Sequence, residues 1–227
     1  MILSIETSTK VCSVALHQNG ELLAESTLYV DKSHSEKLAV LIKDLLSYAE
    51  VGTKDLSAVA IASGPGSYTG LRIGTSTAKG LCYALSIPLI AINTLEAMAY
   101  GATKHLTEEV LICPMLDARR MEVYYLLTDS NLTSIQPTAA KIIDEESFQE
   151  ELSNNKILFF GNGASKCQPV IGNNPNALFI NTQSISAVNV GELAWVKFNN
   201  QEIENLAYFE PEYLKEFKAI KPKNLFA

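Results

Sequence analysis

Two hydrophobic periods take turns along the chain. Ile2–Ile5, Cys12–His17 and Leu22–Leu28 show the short apolar runs and two-residue alternation expected of strands. Asn19-Gly20 separates the second from the third and predicts a type I′ hairpin turn, which needs positive φ at both central residues. The period then lengthens, and Ser35–Glu50 reads as a helix with Ser33 as its N-cap. Ala58–Ala62 is a continuous apolar run of the buried-strand type, broken by Gly64-Pro65-Gly66. A helix over Ser67–Leu85, a strand over Pro88–Ile92 and a helix from Thr94 to Ala102 follow.

The series then restarts. Val110–Met115 and Glu122–Leu127 read as strands around Asp117–Arg120, with a third strand near Leu132–Ile135. A helix over Glu145–Leu152, a strand over Lys156–Phe160 and a short helix after Gly163 come next. A strand over Ala177–Ile180 and final helices from Val188 complete the chain. A β-β-β-α-β-α unit used twice predicts an α/β, two-lobed actin-like fold (ASKHA, ribonuclease H-like). The polar stretch Thr103–Glu109 places the boundary, giving lobes at residues 1–105 and 106–227.

Two helices stand out within this frame. Leu38, Leu41, Ile42, Leu45, Leu46, Tyr48 and Ala49, with Ala39, cover an apolar arc of about 180°, whereas a helix on one core needs about 100°. The excess points either to a partner surface or to deep burial. In the next helix Gly70, Gly74, Thr77, Ala78 and Leu81 share a face that permits close backbone approach. Arg72, Ser76, Lys79 and Tyr83 lie on the opposite side.

Composition narrows the classes. The chain has 227 residues, 47% apolar and 19% charged, ordinary for a globular protein. No apolar run reaches the ~20 residues of a membrane span, and the start lacks a basic lead and cleavage site, so a cytoplasmic location is expected. Cys12, Cys82, Cys113 and Cys167 are far apart, which predicts buried thiols and no zinc cluster. The formal net charge is −7, and the densest basic stretch, Lys215, Lys218, Lys221 and Lys223, is mixed with Glu212 and Glu216. A chain that grips RNA alone needs a basic face, so tRNA contact is expected only indirectly.

Three turns could carry chemistry. Gly64–Gly74, GPGSYTGLRIG, follows a strand and opens a helix, where free backbone N–H groups can meet an anion. It has neither the Lys-Ser/Thr of a P-loop nor dinucleotide-binding glycine spacing, so a tight turn with close helix packing is the plainer reading. Glu6-Thr7-Ser8-Thr9 ends the first strand and suits ordinary turn chemistry. Asp117-Ala118-Arg119-Arg120 could recognise phosphate through its arginines, or be a solvated turn locked by an Asp–Arg pair.

Taken together, ILSIETST, GPGSYTGLRIG, INTLEA, DARRMEVY and PEYLK resemble the TsaB (YeaZ) family, in the right order and from residue 2 to about residue 215. Glu6 departs from a common aspartate, and Met121 from a common glycine. The resemblance implies a role in forming threonylcarbamoyladenosine (t6A) at position 37 of tRNAs that read codons beginning with A. It implies a non-catalytic partner of TsaD, of which TsaB is a shortened paralogue, with TsaE as a further partner and a homodimer in isolation. No cofactor of its own is implied, although ADP or ATP could sit at the TsaD interface. TsaD-like chains carry H-x-E-x-H on a helix, and the matching positions here are Thr94 and Met98, so no catalytic metal is expected.

The arginines of Asp117–Arg120 stand where TsaD-like chains have a Ser-Gly-Gly loop, and Gly161–Ala164 looks like a remnant adenosine loop. Degenerate nucleotide or anion contacts are therefore assigned to Glu6, Thr7, Ser8, Gly64, Gly66, Ser67 and Arg119. The surface for TsaD and for self-association is assigned to Leu38, Ile42, Leu46, Gly70, Arg72, Gly74, Thr77, Ala78 and Leu81. The rival expectation is an actin-like ATPase or small-molecule kinase, kept open by Glu6 and Gly64–Gly70.

Overall fold

The computed structural model describes residues 1–30, 34–181 and 185–215. β1 (Ile2–Glu6), β2 (Cys12–Gln18) and β3 (Glu21–Leu28) form an antiparallel meander, and β4 (Ala58–Gly64) pairs parallel to β1. With β5 (Leu89–Asn93) the first sheet runs β3-β2-β1-β4-β5. The hairpin turn has Asn19 and Gly20 at φ 52° and 86°, as the type I′ expectation required.

The second sheet repeats the arrangement. β6 (Leu111–Asp117), β7 (Glu122–Thr128) and β8 (Ser134–Ile142) make the meander, and β9 (Ile157–Phe160) and β10 (Ala177–Phe179) extend it in parallel. Its order, β10-β9-β6-β7-β8, mirrors the first. β8 is longer than the expected Leu132–Ile135. It is an edge strand whose outer side pairs with nothing in the sheet, so it tolerates Pro137 and mixed polarity.

Helices fill the layers. α1 (His34–Tyr48) and α2 (Tyr68–Leu85) cover one face of the first sheet, burying Leu3, Ile5, Val59 and Ile61 against Leu38, Ile42, Ala78 and Cys82. The expected cap Ser33 lies outside the described residues. α3 (Thr94–Thr103) lies between the sheets, with Leu95, Met98 and Ala99 packed on Ile112, Leu126 and Phe160. α4 (Gln149–Asn154) and α5 (Ala164–Ile171) cover the far face of the second sheet. The expected start of α4 at Glu145 is displaced because Glu146 N–H and Ser147 Oγ both bond the Asp144 carboxylate, a local alternative to helix.

α6 (Ala187–Asn199) corrects the expected division at residue 105. It returns to the first sheet, where Val190 and Ala194 pack on Ile2, Ala58, Ala60 and Ile92. The segment after it stays there: Glu204 N–H donates to Leu89 O, and Glu212 N–H donates to Ser63 O. The unit built on the first sheet therefore draws on both ends of the chain. All four cysteines are buried and free. Among the described residues no helix is long and apolar enough to cross a membrane.

Candidate functional site

The β4–α2 junction meets the β1–β2 turn at backbone distance. Ser67 N–H donates to Ser8 O (2.6 Å), and Thr7 Oγ1 donates to Gly70 O (2.9 Å). A Cβ on Gly66 would stand 2.4 Å from Ser8 O, and one on Gly70 would stand 2.1 Å from Thr7 O. On Gly74 it would stand 2.2 Å from Thr7 Oγ1. Ser67 caps α2 by accepting from Gly70 N–H. The glycines thus make room for the chain's own turn, and two N–H groups that an anion would use are already bonded.

Glu6 and Thr7 share that buried turn. Ser8 N–H donates to Glu6 Oε1, and both residues are about 1% exposed. Burial pushes the Glu6 carboxyl up to about 7, opposed by the hydrogen bonding from Ser8. Glu6 is therefore a sealed carboxyl. Gly64, at φ 118°, faces the Glu212 backbone, where a Cβ would lie 2.6 Å from Glu212 O.

The corresponding turn of the second lobe is built differently. Arg119 and Arg120 are exposed and hold φ values of 67° and 48°. Arg119 N–H donates to Asp117 Oδ1, but the ion partner of Asp117 is Lys166, so the expected Asp–Arg lock is corrected to an Asp–Lys one. Lys166 Nζ also donates to Arg120 O and Glu122 O, each at 2.7 Å. Lys215 pairs with Glu122 and reaches Ala118 O, so the PEYLK segment ties this turn to the first lobe. Gly161 and Gly163 pack on backbone atoms of Met115 and Leu116, and Asn162 Oδ1 accepts from Asp117 N–H. The Gly161–Ala164 loop is packed against its own chain.

The expected partner surface needs correction. Leu38, Ile42, Leu46 and Ala78 are at most 6% exposed and belong to the core, while Gly70 and Gly74 are buried under the β1–β2 turn. Thr77 and Leu81 are half-buried, and Arg72 is exposed over the Tyr68 ring, 4.4 Å from its centroid. The wide apolar arc of α1 is largely core stripe plus its margins. The exposed residues of these helices include Val40 and Tyr48 on α1, beside the charged Glu36, Lys37, Lys43 and Asp44, and Arg72, Ser76, Gly80 and Tyr83 on α2. Tyr48 and Tyr83 are 86% and 82% exposed, and a Cβ on Gly80 would meet nothing within 4 Å.

Thr94 and Met98 are each 1% exposed. Met98 lies in the α3 layer and near Gly161, so it fills the interior. One feature escaped sequence reasoning altogether. A cavity of about 880 Å³ opens where β5, α3 and α6 face β7, β8 and residues 204–212. Glu96, Glu204, Glu210 and Glu212 line it from segments remote in sequence, so no local motif announces it.

The fold is a two-lobed, actin-like α/β one, and the turns between its paired strands are closed by the protein's own chain. The family model for "TsaD: tRNA N6-adenosine threonylcarbamoyltransferase" matches residues 22–222. The Bacillus subtilis "tRNA threonylcarbamoyladenosine biosynthesis protein TsaB" is 31% identical over 221 residues, covering 94% of this chain and 93% of that protein. The Escherichia coli protein of the same name is 38% identical over 124 residues, 55% of this chain and 53% of that one. A Pseudomonas aeruginosa structure, described as similar to peptidase YEAZ, superposes with TM-score 0.82 at 25% identity, covering 94% of this chain and 99% of that one. The chain belongs to the TsaB (YeaZ) family, within the wider group related to TsaD.

Proposed function

We propose that this chain serves t6A formation on tRNA as a non-catalytic subunit that binds the TsaD-type transferase and supports its active shape. The near full-length match to a TsaB of that pathway carries the reading. The burial of Thr94 and Met98 and the closed β4–α2 junction support the non-catalytic part. The same features weigh against the rival ATPase or kinase, which needs open phosphate loops in both lobes. The net charge of −7 supports tRNA contact through the complex and not through this chain alone.

The docking surface follows from the corrected burial. It is the outward face of α1 and α2 around Tyr48, Gly80 and Tyr83, open, aromatic and small enough for close helix approach. The same face serves the homodimer, and TsaE and a bridging ADP or ATP belong to the assembled complex. The test is copurification of the cognate transferase with Tyr83→Glu and Tyr48→Glu. Both positions are exposed, so the variants should fold with unchanged circular dichroism. The expected result is loss of the transferase and of t6A in complemented cells. Full retention of binding by both variants moves the surface elsewhere. Measurable ATP turnover by the isolated chain would revive the rival enzyme.

A further inference from the structure

Two histidines are buried, and they are held in different ways. The His34 ring lies 3.1 Å from Val11 O and bonds it through Nε2. His17, on β2, is 0% exposed, and neither of its ring nitrogens has a hydrogen-bond partner among the described residues. The ring lies directly under α6. A Cβ on Gly191 would stand 2.2 Å from both Nδ1 and Cε1 of His17, and 2.5 Å from Ser4 Oγ. Only a residue without a side chain lets the helix sit this close to the ring. Ser4 Oγ, the polar atom of β1 at the same place, has no partner either.

The charges facing His17 come from α6 and from the end of α3. Glu192, the residue after Gly191, pairs with Lys104, and Lys104 also donates to Asn189 Oδ1 at 3.2 Å. The Tyr100 hydroxyl bonds Glu192 as well. β1 contributes the neutral Ser4, and β3 sets Leu22 opposite His17, with Glu25 exposed further along. Glu192 is thus already engaged, and a proton on His17 would meet no free counter-ion. Burial is the main effect that holds the His17 imidazole below its ordinary 6.5, opposed by Glu192 and reinforced by Lys104. We propose that His17 is an acid-operated latch: as the neutral imidazole it lets α6 lie on the first sheet, and as the imidazolium it lifts α6 away to reach water. The seated state holds the proton less tightly than the released one. The stability of the seat is therefore present above pH 6.5 and is lost as pH falls from there through the seated-state value. α6 returns the chain to the first sheet and leads into the 204–212 segment, so the latch controls how the two ends of the chain are joined.

The helix carries its own reporter. Trp195, the chain's only tryptophan, lies on α6 against the β2–β3 turn, where a Cβ on Gly20 would stand 2.6 Å from its Cδ1. The test follows Trp195 emission, and hydrogen exchange of residues 187–199 corrected for its intrinsic pH dependence, on the full chain from about pH 7.5 to about pH 5. As pH falls below 6.5 the emission should shift to the red. The exchange of α6 should rise by up to roughly tenfold per pH unit, the slope of one proton taken up. The strands of the second sheet should keep their protection. His17→Gln cannot take up the proton and should show neither change. Glu6 titrates in the same range with the opposite sign, but it is present in every variant and cancels in the comparison. Should His17→Gln fail to fold, the partly exposed pair beside it decides. Lys104→Met frees Glu192 for the imidazolium and should move the transition to lower pH, whereas Glu192→Gln should move it to higher pH. A merely structural ion pair would destabilise alike when either partner is lost. The proposal is overturned if α6 does not respond to pH in this range or if His17→Gln shows the same transition. It is also overturned if the whole chain opens together, or if the two charge variants fail to move the transition in opposite directions.

Discussion

The two lobes share one strand order and close the same turn in opposite ways. In the first lobe the β1–β2 turn is buried and wedged under α2, with Gly66 and Gly70 against the backbone of Ser8 and Thr7 and Gly74 against the Thr7 side chain. In the second the β6–β7 turn is exposed, and lysine side chains hold it through Asp117, Glu122 and main-chain carbonyls. Close packing has no slack, because a buried backbone cannot retreat from an added methyl group. Exposed ion pairs are screened and individually weak. The same topological position is therefore rigid in one lobe and tolerant in the other.

The largest effects should fall in the first lobe. Gly70→Ala places its Cβ against the Thr7 carbonyl, and a loss of about 3 kcal/mol is expected from overpacking. Leu46→Asp, with its side chain inside the core, should lose at least as much by burying an unpaired charge. Chemical denaturation measures both. Wild-type stability of Gly70→Ala would mean that the first-lobe turn is not wedged as described, and wild-type stability of Leu46→Asp that this side chain does not sit in the core.

Next comes Glu6. Its folded pKa of about 7 lies above the ordinary carboxyl value of 4.5. The folded state therefore holds this proton more tightly than the unfolded one. Stability from this group is fully present below pH 4.5 and is lost as pH rises through 7. The shift corresponds to about 3 kcal/mol. Glu6→Gln keeps the acceptor for Ser8 N–H and cannot ionise, so at pH 8 it should be the more stable protein, with the advantage gone at pH 4.5. Denaturation at both pH values checks the sign. A variant no more stable than wild type at pH 8 means that water reaches the carboxylate.

Much of this contrast was legible from residues alone. Asn19-Gly20 fixes its turn locally, and the doubled strand–helix series is a matter of period, so both could be read directly. GPGSYTGLRIG announced close packing, but not against what: the occupant is the Thr7–Ser8 turn, some 60 residues earlier. The arc on α1 could not be split into core and rim, because Leu38 and Tyr48 look equally apolar and only the position of the sheet separates them. The return of α6 and the acidic cavity arise from long-range assembly, which periodicity does not encode.

The second lobe should respond more mildly. Lys166→Ala removes the ion partner of Asp117 and a donor to two carbonyls in a partly exposed setting. A loss of about 1 kcal/mol is expected, decreasing at high salt because part of it is an ion pair. Urea denaturation at low and high salt measures it. A loss as large as that of Gly70→Ala would mean that the two turns are equally rigid, and the contrast between the lobes would disappear.

The smallest effect sharpens the comparison within one helix. Gly80 lies on α2 nearly three turns beyond Gly70, yet a Cβ there meets nothing within 4 Å. Glycine in a helix interior costs up to about 1 kcal/mol relative to alanine, through the backbone entropy it must surrender. With no neighbour to displace, Gly80→Ala should raise stability by up to about 1 kcal/mol, opposite in sign to Gly70→Ala. The same chemical change, one methyl group on one helix, then separates the inward face from the outward face. Thermal unfolding of the two variants side by side is the measurement. If Gly80→Ala destabilises the isolated chain, a self-association contact across this face has been lost. The concentration dependence of the melting temperature would then show it, since only a dimer's stability depends on protomer concentration.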